Sequence, residues 1–281
     1  MVHRPSQYTT LILLFAGILT IFFVRTWLAV SFEPPALSDL FNTITIIGSL
    51  IVLLKGYRTL QRNDWILALA LGGLVGAGMY FATLFSPFPF FGIVRDNVGQ
   101  AWVRGTYTML ATLGGLTIMR QGGPIPFHIA DGKRRISAHS FVFGLAVGIP
   151  LAILNVFALQ FTQGQSISWQ SPLAALLDAF QPGIVEEVIY RFALWALVWL
   201  VLRKSLHDRA VWISGAIAML IHNYSHFDAL FVQAPLVALG MGLVIAIVWG
   251  LPPTILAKYR GMEAAIAFHW IQDVARFLAG F

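Results

Sequence analysis

The chain has no cysteine among its 281 residues, which excludes disulfides and thiolate metal ligands. Charge is also scarce. Only 11% of residues are Asp, Glu, Lys or Arg, against about 25% in a soluble domain. No polar stretch is long enough for a soluble domain, and there is no internal repeat and no low-complexity tail. The long apolar runs do not alternate with period two, which excludes a strand-built barrel. No small-residue cleavage site stands before Arg25 at the end of the first apolar run, so that run is expected to be a retained span.

What is present is apolar: 58% of residues are hydrophobic and the mean hydropathy is +0.78. The expectation is an all-α, polytopic transmembrane helix bundle of about 8–9 spans, each needing roughly 17–25 mostly apolar residues. Candidate spans lie at 8–24, 40–54, 65–84, 102–119, 140–161, 184–202, 211–222, 236–256 and 263–281. The eighth is interrupted by Gly250, Pro252 and Pro253.

The net charge of +6 does not point to nucleic acid, because the basic residues sit in short loops between spans. With the N-terminus in the cytoplasm and every span crossing, thirteen basic residues fall inside and two, Arg25 and Arg95, fall outside. Arg104, Arg191 and Arg276 lie within spans. This asymmetry supports the alternation. A compact multi-pass chain of this kind suits the plasma membrane of a prokaryote, with lipid as its constant partner.

The loop 121–137, with Gly122, Gly123, Pro124, Pro126 and a basic cluster, divides the chain into N-terminal helices (1–136) and a C-terminal part (137–281). His128, Lys133, Arg134 and Arg135 read as a solvated cytoplasmic loop. The segment 172–180, with Asp178, reads as lying along the interface or re-entering. Gly72, Gly73, Gly76 and Gly78 read as a close helix contact in the third span.

Costly charges inside apolar sequence read as functional by default. Glu186 and Glu187 are adjacent, so on a helix they point about 100° apart. Arg191, four residues after Glu187, shares its face. That pairing leaves Glu186 free, and a carboxylate in an apolar cavity is suited to general acid or base work. His222 ends the seventh run. His226 follows at i+4, but Asn223 stands where a two-histidine zinc helix needs Glu; His226 is expected to be the more exposed of the two. His269 and Asp273 share another helix face, with Arg276 in reach of Asp273. Singly, each set reads as a satisfied buried pair. Together, on three helices, they supply what a water-activating site needs.

Three motifs in order resemble the CPBP family of CAAX-processing and bacteriocin-processing intramembrane endopeptidases, which includes the type II CAAX prenyl endopeptidases. E-E-x-x-x-R is matched by Glu186, Glu187 and Arg191. F-x-x-x-H is matched at His222, with Ala218 in place of the aromatic. H-x-x-x-N/D is matched by His269 and Asp273. The resemblance covers about residues 140–281 and implies a CAAX-endopeptidase-like core that hydrolyses a peptide bond near or within the bilayer. It implies that Glu186 and His222 activate water, that His269 and Asp273 serve the oxyanion, and that Glu187 and Arg191 are supports. An ionised Asp273 cannot donate to an oxyanion, so it is either protonated or orients His269. A glutamate mechanism without a cofactor is favoured over a Zn2+ site built from Glu186, His222, His269 and Asp273. The implied substrate is a peptide or protein, lipidated or not: prenylated C-terminal peptides, pheromones and bacteriocin precursors are all candidates. The competing readings are a proton-coupled transporter and a catalytically inactive immunity-type membrane protein.

One tension remains at this level. Glu186 lies 17 residues from Arg203 and His269 lies 9 from Arg260. On straight helices these are about 25 Å and 13 Å from the cytoplasmic side. A shared site requires that Pro252 and Pro253 break the eighth span or that the ninth helix is recessed.

Overall fold

The computed structural model describes residues 7–281. Among them helices account for all regular structure, apart from an isolated bridge between Phe90 and Val94. Arg4, part of the charge count, lies outside the described residues. In chain order the helices are α1 (Gln7–Ser31), α2 (Pro34–Gly56), α3 (Arg62–Tyr80), α4 (Asn97–Arg120), α5 (Arg134–Gln163) and the short α6 (Pro172–Asp178). A π-helical segment (Gln181–Leu194) then runs directly into α7 (Trp195–Leu206). They are followed by α8 (Arg209–Tyr224), α9 (Asp228–Gln233), α10 (Pro235–Ile245), α11 (Leu251–Arg260) and α12 (Met262–Ala279).

The protein is an all-helical membrane bundle. Among the described residues, three helical stretches are by themselves long and apolar enough to cross a membrane: Leu37–Thr59, Arg134–Gln163 and Pro235–Arg260. The last runs unbroken through Gly250, Pro252 and Pro253, contrary to the expected interruption. A proline lacks the N–H of the helical ladder. Here both prolines stand in the first turn of α11, and a π turn at Ala246–Gly250 absorbs the mismatch.

The first two turns of α12 are deeply enclosed. Every residue from Met262 to Phe268 is buried, whereas α5 packs along it and turns Val142, Ile149, Ile153 and Phe157 outward. The α5–α12 seam is close because α5 presents glycine: an added Cβ on Gly144 would stand 2.2 Å from the Ala264 carbonyl oxygen. The third-span glycines behave as expected at three positions. Gly72, Gly76 and Gly78 face neighbouring backbone, while nothing lies near Gly73.

Two further expectations are corrected. Arg25 is not an external loop residue. It lies inside α1, 1% exposed, and is ion-paired with Asp228 at the start of α9. An arginine in a lipid-embedded helix needs such a partner. Of the loop residues read as solvated, Lys133, Arg134 and Arg135 are exposed but His128 is half-buried, in a stretch that folds inward. Ile125, Phe127 and Ala130 are buried and tuck over the start of α12. There the Met262 N–H donates to the Pro126 carbonyl at 3.0 Å, and Glu263 Oε1 accepts from the Ile129 N–H at 2.8 Å. Lys258 Nζ reaches the Pro124 carbonyl at 3.1 Å. The ninth helix is therefore recessed beneath this plug, which removes the difference in depth between Glu186 and His269.

The 172–180 segment is an internal anchor. Asp178, 1% exposed, accepts the backbone N–H groups of Thr83, Leu84 and Phe85 through one oxygen. This fixes the loop after α3 against the bundle.

Candidate active site

The π-helical segment carries Glu186, Glu187 and Arg191. Gly183 lets it approach α12, since a Cβ there would stand 2.7 Å from Trp270 Cα. π-helical turns are uncommon and cluster at functional sites. The two carboxylates face different surroundings. Glu187 is fully buried and accepts from Arg191 Nη1 and, at 2.7 Å, pairs with His269 Nδ1. Glu186 is 26% exposed in its side chain and faces a cavity. Arg191 also ties this segment to the π turn of the Pro235–Arg260 helix, through the Gly250 carbonyl and Thr254 Oγ1, each at 3.4 Å.

Three histidines surround the Glu186 carboxylate. Its Oε2 lies 2.7 Å from His222 Nε2, 3.7 Å from His269 Nε2 and 4.0 Å from His226 Nε2. Asp273 Oδ2 lies 3.3 Å from His269 Nε2, and Asp273 Oδ1 accepts from Arg276 at 2.9 Å. The structure thus brings Glu186, His222, His269 and Asp273 together from the π-helical segment, α8 and α12, with Glu187 and Arg191 directly behind. They line a cavity of about 840 Å³.

Four features of the site are not evident from the motifs. His226 is half exposed but stands within reach of Glu186; its i+4 spacing from His222 was the available signal. Tyr190 stacks on His222, with ring centroids 4.6 Å apart and planes at 21°. Ala218, where the motif carries an aromatic, is buried, so an aromatic partner reaches His222 from the neighbouring segment instead. Glu187 holds His269 as well as Arg191. Asp39 on α2 and Arg104 on α4 also line the cavity, and no spacing in the sequence linked them to the motifs.

The donor set for a metal also differs from the expected one. Among the described residues, the ligand atoms close enough to share an ion are those of Glu186, His222 and His226, all within 4.8 Å of one another. His269 and Asp273 are outside that group. Tetrahedral zinc ligands at about 2.0–2.1 Å stand about 3.3 Å apart. The 2.7 Å contact of Glu186 with His222 is a hydrogen-bond length, so both side chains would have to part to admit the ion.

No curated protein and no solved structure matches the chain. Residues 168–275 match the family model of the type II CAAX prenyl endopeptidases, Rce1-like. The matched stretch begins before α6, ends in α12 and contains every motif residue named above, while Asp39 and Arg104 fall outside it. Over this segment, about two fifths of its length, the chain is similar to the Rce1-like, CAAX-type family of intramembrane proteases.

Proposed function

We propose that the chain is an intramembrane endopeptidase that hydrolyses a peptide bond of a prenylated or otherwise membrane-associated peptide. In this reading Glu186 and His222 activate the attacking water. The observation that carries it is the 2.7 Å contact between Glu186 Oε2 and His222 Nε2 at the wall of a cavity inside the bundle. A carboxylate and an imidazole in hydrogen-bond contact can take a proton from water and pass it to the leaving amine. Tyr190 beneath the His222 ring fixes its plane.

Both ring nitrogens of His269 face carboxylate oxygens, those of Glu187 and Asp273. A carboxylate accepts and does not donate, so Nδ1 donates to Glu187, while Nε2 makes no hydrogen bond to Asp273 and is the ring nitrogen left to donate where an oxyanion develops. Asp273 is itself held by Arg276 and orients His269 rather than donating to the oxyanion. If a metal were present, Glu186, His222 and His226 would hold it and it would supply Lewis-acid activation of water. The reading takes the metal-free route, in which Glu186 and His222 act directly on water.

The test uses purified protein in detergent and a farnesylated CAAX peptide carrying a fluorophore–quencher pair. Wild type cleaves the peptide and His222→Ala does not, with an unchanged unfolding curve. Turnover by His222→Ala at the wild-type rate rejects the assigned roles.

A further inference from the structure

Arg104 is the cavity group that the hydrolytic chemistry leaves unused. It lies on α4, outside the family-matched residues, and is 7% exposed. A guanidinium inside a lipid-embedded bundle is costly, and such groups are either fully paired or functional. The other buried or cavity-lining arginines named above each hydrogen-bond a carboxylate. Arg191 hydrogen-bonds Glu187, Arg25 hydrogen-bonds Asp228, and Arg276 donates to Asp273 at 2.9 Å.

Arg104 is held differently. Its Nε donates to Gln100 Oε1 at 3.2 Å, and Gln100 is fixed in turn by the carbonyls of Phe88 and Val94. Its Nη2 stands 3.5 Å from Asp39 Oδ1, an ion pair without a hydrogen bond. The other oxygen of Asp39 is occupied by the Phe91 N–H at 2.7 Å. The guanidinium is therefore oriented from behind. Its two terminal nitrogens make no hydrogen bond with the described residues, although the side chain lines the cavity. Glu186, Tyr190 and His222 line the same cavity, so Arg104 and the hydrolytic cluster share one chamber.

We infer that Arg104 binds the free C-terminal carboxylate of the peptide in this cavity. The inference rests on the endopeptidase reading above and deepens it. A planar, pre-oriented guanidinium with two free donors matches a carboxylate bidentately. An extended chain rises about 3.3 Å per residue. A cavity of about 840 Å³ has room for a few extended residues beyond the scissile bond, and the inference assigns the group that reaches Arg104 to the end of the chain. Asp39 tunes the site: it anchors the guanidinium without saturating it.

The test compares three farnesylated CAAX reporter peptides. One ends in a free carboxylate and one in a carboxamide. The third ends in a glutamate carboxamide, which moves the charge to a side chain. Cleavage by wild type is read as kcat/KM. Binding is read by fluorescence anisotropy on Glu186→Gln, where no turnover is needed. The free acid is expected to be preferred over the carboxamide by about 10- to 100-fold, the range of a charge-assisted hydrogen-bonded pair. Arg104→Gln is expected to erase that preference by weakening the free acid alone, and Arg104→Lys to keep part of it. A purely structural role would weaken all three peptides together.

Equal cleavage of acid and carboxamide by wild type overturns the inference and leaves the peptidase reading intact. Absence of cleavage with a preserved binding preference for the acid overturns the peptidase reading and supports the carboxylate site. Equal binding of acid and carboxamide overturns the site. A glutamate carboxamide taken as well as the free acid overturns the assignment to the chain end. The acid-against-carboxamide comparison on wild type decides the matter even if the arginine variants fail to fold.

Discussion

Glu186 and Glu187 are joined by one peptide bond, yet their removal should produce opposite phenotypes. Glu187 is fully buried and accepts from both Arg191 and His269. In Glu187→Ala the 2%-exposed Arg191 keeps only two contacts at 3.4 Å, to Thr254 Oγ1 and the Gly250 carbonyl. Breaking a buried ion pair from one side costs about 3–5 kcal/mol, because the remaining charge stays buried and unpaired. That is a large part of a typical stability of about 5–15 kcal/mol. Glu186 faces the cavity, and Glu186→Gln preserves its volume, so its stability should change by about 0.5 kcal/mol or less. Its activity should fall by about 100- to 10,000-fold, the contribution of a positioned acid or base. Tryptophan fluorescence through an SDS titration reads the first effect, and turnover of the farnesylated reporter reads the second. The reasoning is refuted if Glu187→Ala unfolds at the wild-type SDS fraction, or if Glu186→Gln keeps turnover within tenfold of wild type.

Two further predictions follow from other parts of the molecule. Gly144→Ala forces a methyl to 2.2 Å from the Ala264 carbonyl; overpacking the α5–α12 seam should destabilise the fold by about 1–3 kcal/mol, whereas Gly73→Ala, with open space around it, should be neutral or stabilising in the same SDS titration. Dialysis against a strong chelator should leave turnover of the reporter unchanged, since in the proposed route Glu186 and His222 act directly on water; activity lost to the chelator and restored by zinc would overturn the metal-free route.

The helical bundle was legible in the chain because lipid imposes a strong rule: unpaired backbone polar groups are expensive there, so long apolar runs become helices. Eight of the nine apolar runs correspond to the long helices α1–α5, α8, the Pro235–Arg260 stretch and α12, and the ninth to the π-helical segment with α7. The pairing of Glu187 with Arg191 was legible too, because i,i+4 residues meet on one helix. Three readings went astray where a run alone holds too little information. Arg25 looked like a loop charge because its partner, Asp228, is 203 positions away. His128 looked solvated because the few apolar residues beside it, among glycines and prolines, do not show that they plug a bundle. The eighth span looked broken because a π turn leaves no mark in composition.

Local rules of periodicity and charge cost, acting within about one helix, thus determined from sequence alone that the chain is a helical membrane protein and that Glu186, Glu187, Arg191, His222, His269 and Asp273 are its costly residues. The tertiary structure decided which of these touch. It gave Glu187 a second partner in His269, brought His226 and Tyr190 to His222, recessed α12 so that two helices of unequal register meet at one depth, and turned Arg104 of the N-terminal part toward the same cavity. Contacts between helices depend on depth, rotation and tilt, which arise from packing among all the helices at once, and no single segment carries that information.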